Sequence, residues 1–172
     1  MPVSRDLFRA ISGSFPTGVL IITTLDDQGA PKGLTTQAYM GLSTEPPLVL
    51  LAIDKMSRTL PALQKRRAFV INFLKHGAED AATLFASKSD DKFKNVRWKP
   101  AKDAGGAPIL RDLALAYAAC QATEIHEAGD HILFVASLEG GEVFGGTPLM
   151  YYRRTYAAWL EERPAPPVES TS

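Results

Sequence analysis

Short runs of apolar and β-branched residues, separated by turn-forming residues, recur along the chain and predict a mainly β protein. Strands are predicted at 18–24, within 31–43, and at 48–53, 68–74, 113–126, 131–143 and 149–159. A β-bulge is expected at Gly140 and Gly141 in the penultimate strand. Because several strands are long and joined by tight turns, this pattern favours an antiparallel barrel of six or seven strands over a parallel sheet.

Three segments carry helical signals, and each is too short to form a layer of its own. Ser4 can cap a first helix with Leu7, Phe8 and Ile11 on one face, and further helices are predicted at 60–65 and 78–86. A polar, Pro-rich segment closes the chain. We therefore expect one domain over residues 1–162 and a disordered tail over 163–172.

Composition narrows the class of protein. The 172 residues suit one domain, and 19 basic residues balance 19 acidic ones, so no general attraction for nucleic acid or an anionic membrane is expected. No apolar run has the length of a membrane span, and the first residues carry no apolar signal core, which predicts a cytoplasmic protein. The single cysteine, Cys120, excludes an intramolecular disulfide and is predicted to be buried.

The segment 54–59 places two hydroxyls and two cations just before a predicted helix. A phosphate monoester would suit this turn, because backbone N–H groups and hydroxyls there can bind an anion. The alternative, that Ser57 or Thr59 simply caps the helix, is favoured by this feature alone. Lysines at 88–94 could reach the same phosphate or form a solvated charged run.

Two further segments could line a binding site. The strand at 33–39 has small and hydroxyl residues that would let a flat ring system approach, although a half-buried strand explains them equally well. The turn Gly129-Asp130-His131 could aim an imidazole into a cleft or leave it on the surface. The sequence contains no dinucleotide-binding glycine fingerprint, Walker loop, zinc-protease motif or cysteine cluster, so no metal site is expected.

Together and in order, nine stretches resemble the flavin reductase-like, FMN-binding split-barrel family, the reductase components of two-component flavin monooxygenases. They are Phe15-Pro16-Thr17-Gly18-Val19, Gly33-Leu34-Thr35-Thr36, Ser43-Thr44-Glu45-Pro46-Pro47-Leu48-Val49, Ser57-Arg58-Thr59, Phe69-Val70-Ile71-Asn72-Phe73-Leu74, Leu84-Phe85-Ala86, Asp91-Lys92-Phe93, Gly129-Asp130-His131 and Pro148-Leu149-Met150-Tyr151-Tyr152. The resemblance covers about residues 7–160. It implies a six-stranded antiparallel split β-barrel with short flanking helices, which forms a homodimer and binds flavin near the dimer interface.

The resemblance also implies roles for particular residues. The flavin phosphate would be held at the turn formed by Asp54, Ser57, Arg58 and Thr59, with Lys92 nearby. The isoalloxazine would lie along Thr35, Thr36, Gln37 and Ala38, close to Phe85 and Ala86. His131 would face the nicotinamide as the catalytic residue, with Tyr152 or Tyr156 shaping that pocket. Gln37 departs from the family, which often has Ser at this position. This departure leaves open whether the protein prefers FMN or FAD.

The activity implied is hydride transfer from NADH or NADPH to FMN or FAD, with reduced flavin supplied to a partner monooxygenase. The cofactors carry this chemistry, so no strong general base is required. A non-catalytic flavin or haem carrier on the same barrel is the alternative. A pyridoxamine-phosphate type oxidase is a second rival, although it would need a further phosphate site that the sequence does not indicate.

Overall fold

A computed structural model describes residues 2–159 of the chain. The helices are α1 (Arg5–Ser12), α2 (Leu60–Arg66) and α3 (Glu79–Ala86), with a 3₁₀ turn at Lys102–Ala104. The strands are β1 (Thr17–Gly18), β2 (Leu20–Leu25), β3 (Pro31–Thr36), β4 (Tyr39–Thr44), β5 (Pro47–Asp54), β6 (Ala68–Leu74), β7 (Lys99–Pro100), β8 (Pro108–Ile109), β9 (Ala114–Ala128), β10 (His131–Val143), β11 (Leu149–Tyr152) and β12 (Thr155–Ala158).

The principal sheet has seven strands in the order β3-β2-β6-β9-β10-β5-β4, and every pair is antiparallel. Its two edge strands, β3 and β4, are joined by only Gln37 and Ala38. Because so short a link must bring the two edges together, the sheet curls into a barrel with a split between β3 and β4. The predicted antiparallel barrel is confirmed, with seven strands in this sheet.

The barrel interior holds the main hydrophobic core. Its members come from alternate positions of the strands and include Phe69 and Phe134, whose rings meet edge to face with centroids 6.4 Å apart. A second cluster joins α3 to the small sheet β1-β11-β12 and contains Phe85 and Leu149, both fully buried. The second cluster anchors α3 beside the barrel.

Two predicted strands are each divided in the structure. The segment 31–43 forms β3 and β4, because the chain turns a corner at Gln37, where the sheet closes. The segment 149–159 forms the hairpin β11–β12, whose two turn residues, Arg153 and Arg154, have left-handed backbone. The bulge in β10 falls one residue before the predicted position, since the register skips Glu139 between Leu138 and Gly140.

The predicted helices are confirmed with small changes at their ends. Ser4 caps α1, accepting a hydrogen bond from the backbone N–H of Leu7 at 3.2 Å. Within residues 2–159, no helix has the length and apolar character needed to cross a membrane. The predicted tail, residues 163–172, lies outside the described residues.

Candidate functional site

A cleft of about 320 Å³ opens where β3, the end of β5 and the end of α3 converge. We call it the flavin cleft after the role predicted for the residues that line it. Seven of the predicted site residues line it: Thr35, Asp54, Ser57, Arg58, Phe85, Ala86 and Lys92. Leu34, Met56, Ser87 and Lys88 complete the wall. The fold therefore brings together three segments that are far apart in sequence.

The turn after β5 is ordered by its own backbone. The Asp54 carboxylate accepts the N–H of Met56 at 2.7 Å, and the Asp54 carbonyl accepts the N–H of Ser57 at 2.9 Å. The Ser57 hydroxyl oxygen accepts the N–H of Thr59 at 3.3 Å, which leaves its O–H hydrogen free to donate. The turn thus presents the Ser57 hydroxyl to the cleft while the Asp54 carboxylate is engaged.

Thr59, although predicted to bind the flavin, is not among the residues that line the flavin cleft, and it instead holds β3 in place. Its side chain is buried, and its hydroxyl donates to the Gly33 carbonyl at 3.0 Å. A hydroxyl has one hydrogen, so Thr59 has none left for a phosphate. Thr59 occupies the N-cap position of α2 without a side-chain capping bond, so the simple capping interpretation does not describe it either.

Lys92 is the most constrained cation in the cleft. Its ammonium donates to the Phe85 carbonyl at 2.7 Å and to the Gly33 carbonyl at 3.1 Å. An ammonium has three hydrogens, so one remains for a ligand. Burial lowers the pKa of Lys92, the nearby Arg58 lowers it further, and Asp90 opposes this effect. A bound anion would offset both effects that disfavour the charged form.

Arg58 lies at the rim and holds the loop that follows α3. Its guanidinium donates to the Lys88 carbonyl and pairs with the Asp90 carboxylate. Both partners are exposed, so the pair itself adds little stability. Its effect is positional, because these bonds join the turn after β5 to the segment 88–90 at the cleft.

Phe85 is fully buried, so its ring supports the flavin cleft from behind. The ring packs edge to face on Phe93, with centroids 5.0 Å apart, and lies directly against Gly33. A Cβ atom at Gly33 would approach Phe85 Cε1 to 2.7 Å, so no side chain fits there without movement. Sequence reasoning gave Gly33 no role of its own, although a glycine inside a strand is a known sign of close approach.

The predicted ring-binding residues form the corner between β3 and β4. The Thr35 hydroxyl donates to the Ala82 carbonyl at 2.6 Å, and the Thr36 hydroxyl accepts the N–H of Ala38 at 3.1 Å. Gln37 Oε1 accepts the Thr17 hydroxyl at 3.1 Å, which leaves its amide N–H groups free. This corner is therefore fixed by side chains and keeps amide donors for a ring edge.

His131 lies beside the turn 54–59 after β5, which we call the phosphate turn after its predicted ligand. It is the cross-strand partner of Asp54, and the carbonyl of Asp130 accepts the N–H of Lys55 at 3.0 Å. His131 Nδ1 lies 2.7 Å from the Asp130 carboxylate, and this hydrogen bond is the main cause that lowers the pKa of Asp130. Asp130 thus fixes one ring nitrogen and leaves Nε2 for a ligand.

The structure does not bring the two predicted tyrosines into the flavin cleft. Tyr152 lies at the end of β11 in the small sheet, with the guanidinium of Arg153 5.1 Å from its ring centroid. Tyr156 packs edge to face against Tyr151, with ring centroids 5.2 Å apart. A role for either tyrosine near the nicotinamide stays a prediction.

Comparison with known proteins places this geometry in a family. The profile of the Flavin reductase like domain matches residues 12–160. A flavin reductase (NADH) from Kitasatospora aureofaciens is 42% identical over 169 residues, covering 94% of this chain and 86% of that protein. The reductase subunit of a flavin-dependent monooxygenase from Mycobacterium tuberculosis is 36% identical over 162 residues, covering 92% and 84%.

Solved structures that superpose on this chain point to the same family as the sequence relatives. Component B of a nitrilotriacetate monooxygenase homologue from Mycobacterium thermoresistibile superposes with a TM-score of 0.86 at 32% identity, covering 96% of this chain and 93% of that one. An NADH:FAD oxidoreductase from Streptomyces globisporus superposes with a TM-score of 0.86 at 27% identity, covering 94% and 96%. The chain belongs to the flavin reductase like domain family. It is an NAD(P)H:flavin oxidoreductase, and these relatives support the enzyme over the non-catalytic carrier.

Proposed function

We propose that the flavin cleft binds the flavin through Ser57, Arg58 and Lys92 at its phosphate and through the corner 35–38 at its ring. The observation that carries this assignment is the Lys92 ammonium, which two carbonyls hold in place while one N–H remains for a ligand. The flavin supplies a hydride-accepting nitrogen, and the reduced nicotinamide supplies the hydride.

The residues in the cleft fit a phosphate. Ser57 and Arg58 in the turn after β5 offer a hydroxyl and a guanidinium, and Lys92 in the loop after α3 offers an ammonium to the same space. Among residues 2–159, Asp54 is the one carboxylate that lines this cleft, and the backbone of its own turn engages it. Charge-assisted hydrogen bonds of this kind are each worth about 1.5–3 kcal/mol.

The chain's own contribution to the reaction is positioning. Thr35, Thr36 and Gln37 are fixed by hydrogen bonds before any ligand arrives, which reduces the ordering cost of binding a flat ring. His131, held by Asp130, would hold the nicotinamide against the flavin and exclude water from that side. No proton transfer at these residues is required for hydride transfer itself.

The decisive test is a steady-state matrix of NADH and NADPH against FMN, FAD and riboflavin, followed by nicotinamide absorbance. We expect the protein to oxidise reduced nicotinamide when flavin is present. Riboflavin should have a larger dissociation constant than FMN, because riboflavin lacks the phosphate. Combining Ser57→Ala with Arg58→Ala should reduce this difference, and Lys92 would account for the part that remains. Equal affinity of the wild-type protein for FMN and riboflavin would contradict the phosphate assignment.

An exposed apolar face supports the proposed homodimer. On the outer side of the sheet, cross-strand neighbours Met40, Leu50 and Val135 form a row, and Ala52 and Leu133 form the next row towards the Asp54–His131 pair. Met40 keeps 50% of its surface exposed and Leu50 is only partly covered. Contiguous apolar surface of this kind marks a protein interface.

A second copy covering this face would lie next to the flavin cleft. We expect a dimer mass by light scattering, and Leu133→Glu should give monomers with weaker flavin binding. Val143→Glu, at the exposed far end of the same strand, is the matched control and should stay dimeric. A wild-type monomer would contradict this proposal.

We also propose that the reduced flavin serves a monooxygenase component in the cytoplasm, where reduced nicotinamides are available. Relatives include reductase components of two-component monooxygenases. The zero net charge gives no strong steering towards a partner, so the flavin would transfer by diffusion. An oxygenase component should then turn over equally fast with photochemically reduced flavin. A requirement for the reductase protein itself would contradict transfer by diffusion.

A further inference from the structure

A second cleft, of about 520 Å³, lies between the end of α1 and the β11–β12 hairpin. It is lined by Asp6, Arg9, Ala10, Gly13, Ser14, Arg153 and Arg154, and we call it the arginine cleft. We propose that the arginine cleft binds a phosphate group of the nicotinamide dinucleotide. This inference rests on the proposed function, because it requires the nicotinamide ring to lie near His131.

The charges in the arginine cleft favour an anion. Three guanidiniums line it against one carboxylate, and that carboxylate, Asp6, is almost fully exposed and lies 3.9 Å from Arg9. Within residues 2–159, neither Arg153 nor Arg154 forms an ion pair. Guanidinium groups bind phosphate through paired, directional hydrogen bonds, so a phosphate is the ligand chemistry that suits this lining.

The hairpin that carries two of these guanidiniums has an unusual backbone. Arg153 and Arg154 have φ values of 46° and 67°, a conformation that two-residue hairpins usually assign to Asn and Gly. The N–H of Arg153 donates to the Gly13 carbonyl at 3.2 Å, which fixes the hairpin against the end of α1. The two arginines are therefore held in a defined place at a conformational cost that a binding role would explain.

Helix α1 connects the arginine cleft to the nicotinamide side. The hydrogen bond from His131 is the main cause that lowers the pKa of Asp130, and the charge of Arg5 at the start of α1 adds a small contribution. Arg9 follows Arg5 by one turn and lines the arginine cleft. At 1.5 Å per residue, the path from Arg5 to Gly13 is about 12 Å, so α1 offers a basic track from His131 for the phosphate-bearing part of a dinucleotide.

The test uses Arg154→Gly, which removes a guanidinium and suits the left-handed backbone, so the variant should fold. We expect the KM for the nicotinamide to rise about tenfold with kcat and FMN affinity unchanged. Arg97→Ala, which removes an exposed arginine paired with Asp112, is the matched control and should leave all three unchanged. An equal rise in KM for NADH and NADPH would show that the arginine cleft binds the pyrophosphate. A rise in KM for NADPH alone would show that it binds the 2′-phosphate.

Other outcomes would overturn the proposal. An unchanged KM for both nicotinamides would show that the arginine cleft binds neither phosphate. A change seen only with FAD, and not with FMN, would assign the cleft to the flavin's adenylate. Calorimetric titration with 5′-ADP and 2′,5′-ADP separates this from a failure of the proposed function, because it needs no turnover. Binding weakened by Arg154→Gly supports the arginine cleft, and unchanged binding contradicts it.

Discussion

The ammonium of Lys92 donates to the backbone carbonyl of Gly33 at 3.1 Å, and the same oxygen accepts the hydroxyl of Thr59 at 3.0 Å. One carbonyl thus joins β3, the turn before α2 and the loop after α3. These three segments form the end of the flavin cleft to which we assign the phosphate. The geometry of that end therefore depends on the backbone position of Gly33 as well as on the side chains that face the ligand.

Gly33→Ala should destabilise the protein and weaken flavin binding. The added methyl group would lie 2.7 Å from Phe85 Cε1, and Phe85 has no free space because it is fully buried. Overpacking of this kind costs about 1–3 kcal/mol. Denaturant unfolding gives the stability, and fluorescence titration with FMN gives the affinity.

Gly41→Ala is the matched control for this prediction. Gly41 also lies in a strand, but a methyl group there meets no atom within 4 Å. Its stability should stay within about 0.5 kcal/mol of the wild type. Adding Phe85→Leu to Gly33→Ala should recover part of the loss. Equal stability of the two alanine variants would show that the Phe85 side chain can move aside at little cost in free energy.

Lys92 should make flavin affinity depend on pH. Burial lowers the pKa of Lys92, and only the protonated ammonium attracts the phosphate. FMN affinity should therefore be constant near neutral pH and fall as pH rises through this lowered pKa, before the ordinary lysine range is reached. Titration of FMN from pH 7 to 10 measures the fall.

Two comparisons isolate the effect of Lys92. Riboflavin has the same ring without the phosphate, so its affinity should lack this part of the pH dependence. Lys92→Met keeps much of the buried stem, so FMN should bind more weakly, closer to riboflavin, and should show the pH profile of riboflavin. A wild-type profile in Lys92→Met would exclude the ammonium as a phosphate ligand.

Thr59 and Ser57 should separate stability from affinity. Thr59→Val removes a buried hydroxyl that donates to the Gly33 carbonyl, so the free energy of unfolding should fall by about 1 kcal/mol or more. Ser57→Ala removes a half-buried hydroxyl and should leave stability nearly unchanged while weakening FMN more than riboflavin. Thermal unfolding of both variants measures stability, and titration with FMN and riboflavin measures affinity. If Ser57→Ala lost stability and Thr59→Val lost only FMN affinity, the two roles would be the opposite of those assigned here.

The sequence predicted the functional segments better than the role of each side chain. The turn at Ser57 and the run at Lys92 carry recognisable residue types, and the fold places both in one cleft. Which hydroxyl of Ser57 and Thr59 turns inward depends on the position of β3, which no local pattern specifies. The same holds for Phe85, whose burial follows from its contact with Gly33.

The two predicted strands that the structure divides show where local residue patterns were insufficient to predict a turn. No proline or glycine marks the corner at Gln37 and Ala38, and the break arises from closure of the barrel. The hairpin at Arg153 and Arg154 lacks the Asn or Gly that predicts such a turn. Tertiary contacts, among them the bond from Arg153 to Gly13, hold this backbone in place.

His131→Ala should lower the rate of nicotinamide oxidation more than flavin affinity. The His131 ring is partly exposed beside the phosphate turn and held by Asp130, a setting suited to orienting a second ligand. His76→Ala is the matched control, because His76 is exposed and has a similar carboxylate partner, Glu79, at 2.9 Å. Stopped-flow measurement of flavin reduction gives the rate, and an equal loss of flavin affinity would assign His131 to the flavin instead.

Cys120 should resist modification while the protein is folded. Its side chain is fully buried, and burial raises the pKa of the Cys120 thiol to about 12. The thiolate is the reactive form, and at pH 8 this thiol is protonated as well as inaccessible. Reaction with a thiol reagent should therefore be slow in native buffer and rapid in denaturant. Ser89→Cys places a second thiol on an exposed loop and should add one rapidly reacting group. Rapid loss of the native thiol in the wild type would show that β9 opens far more often than its burial implies.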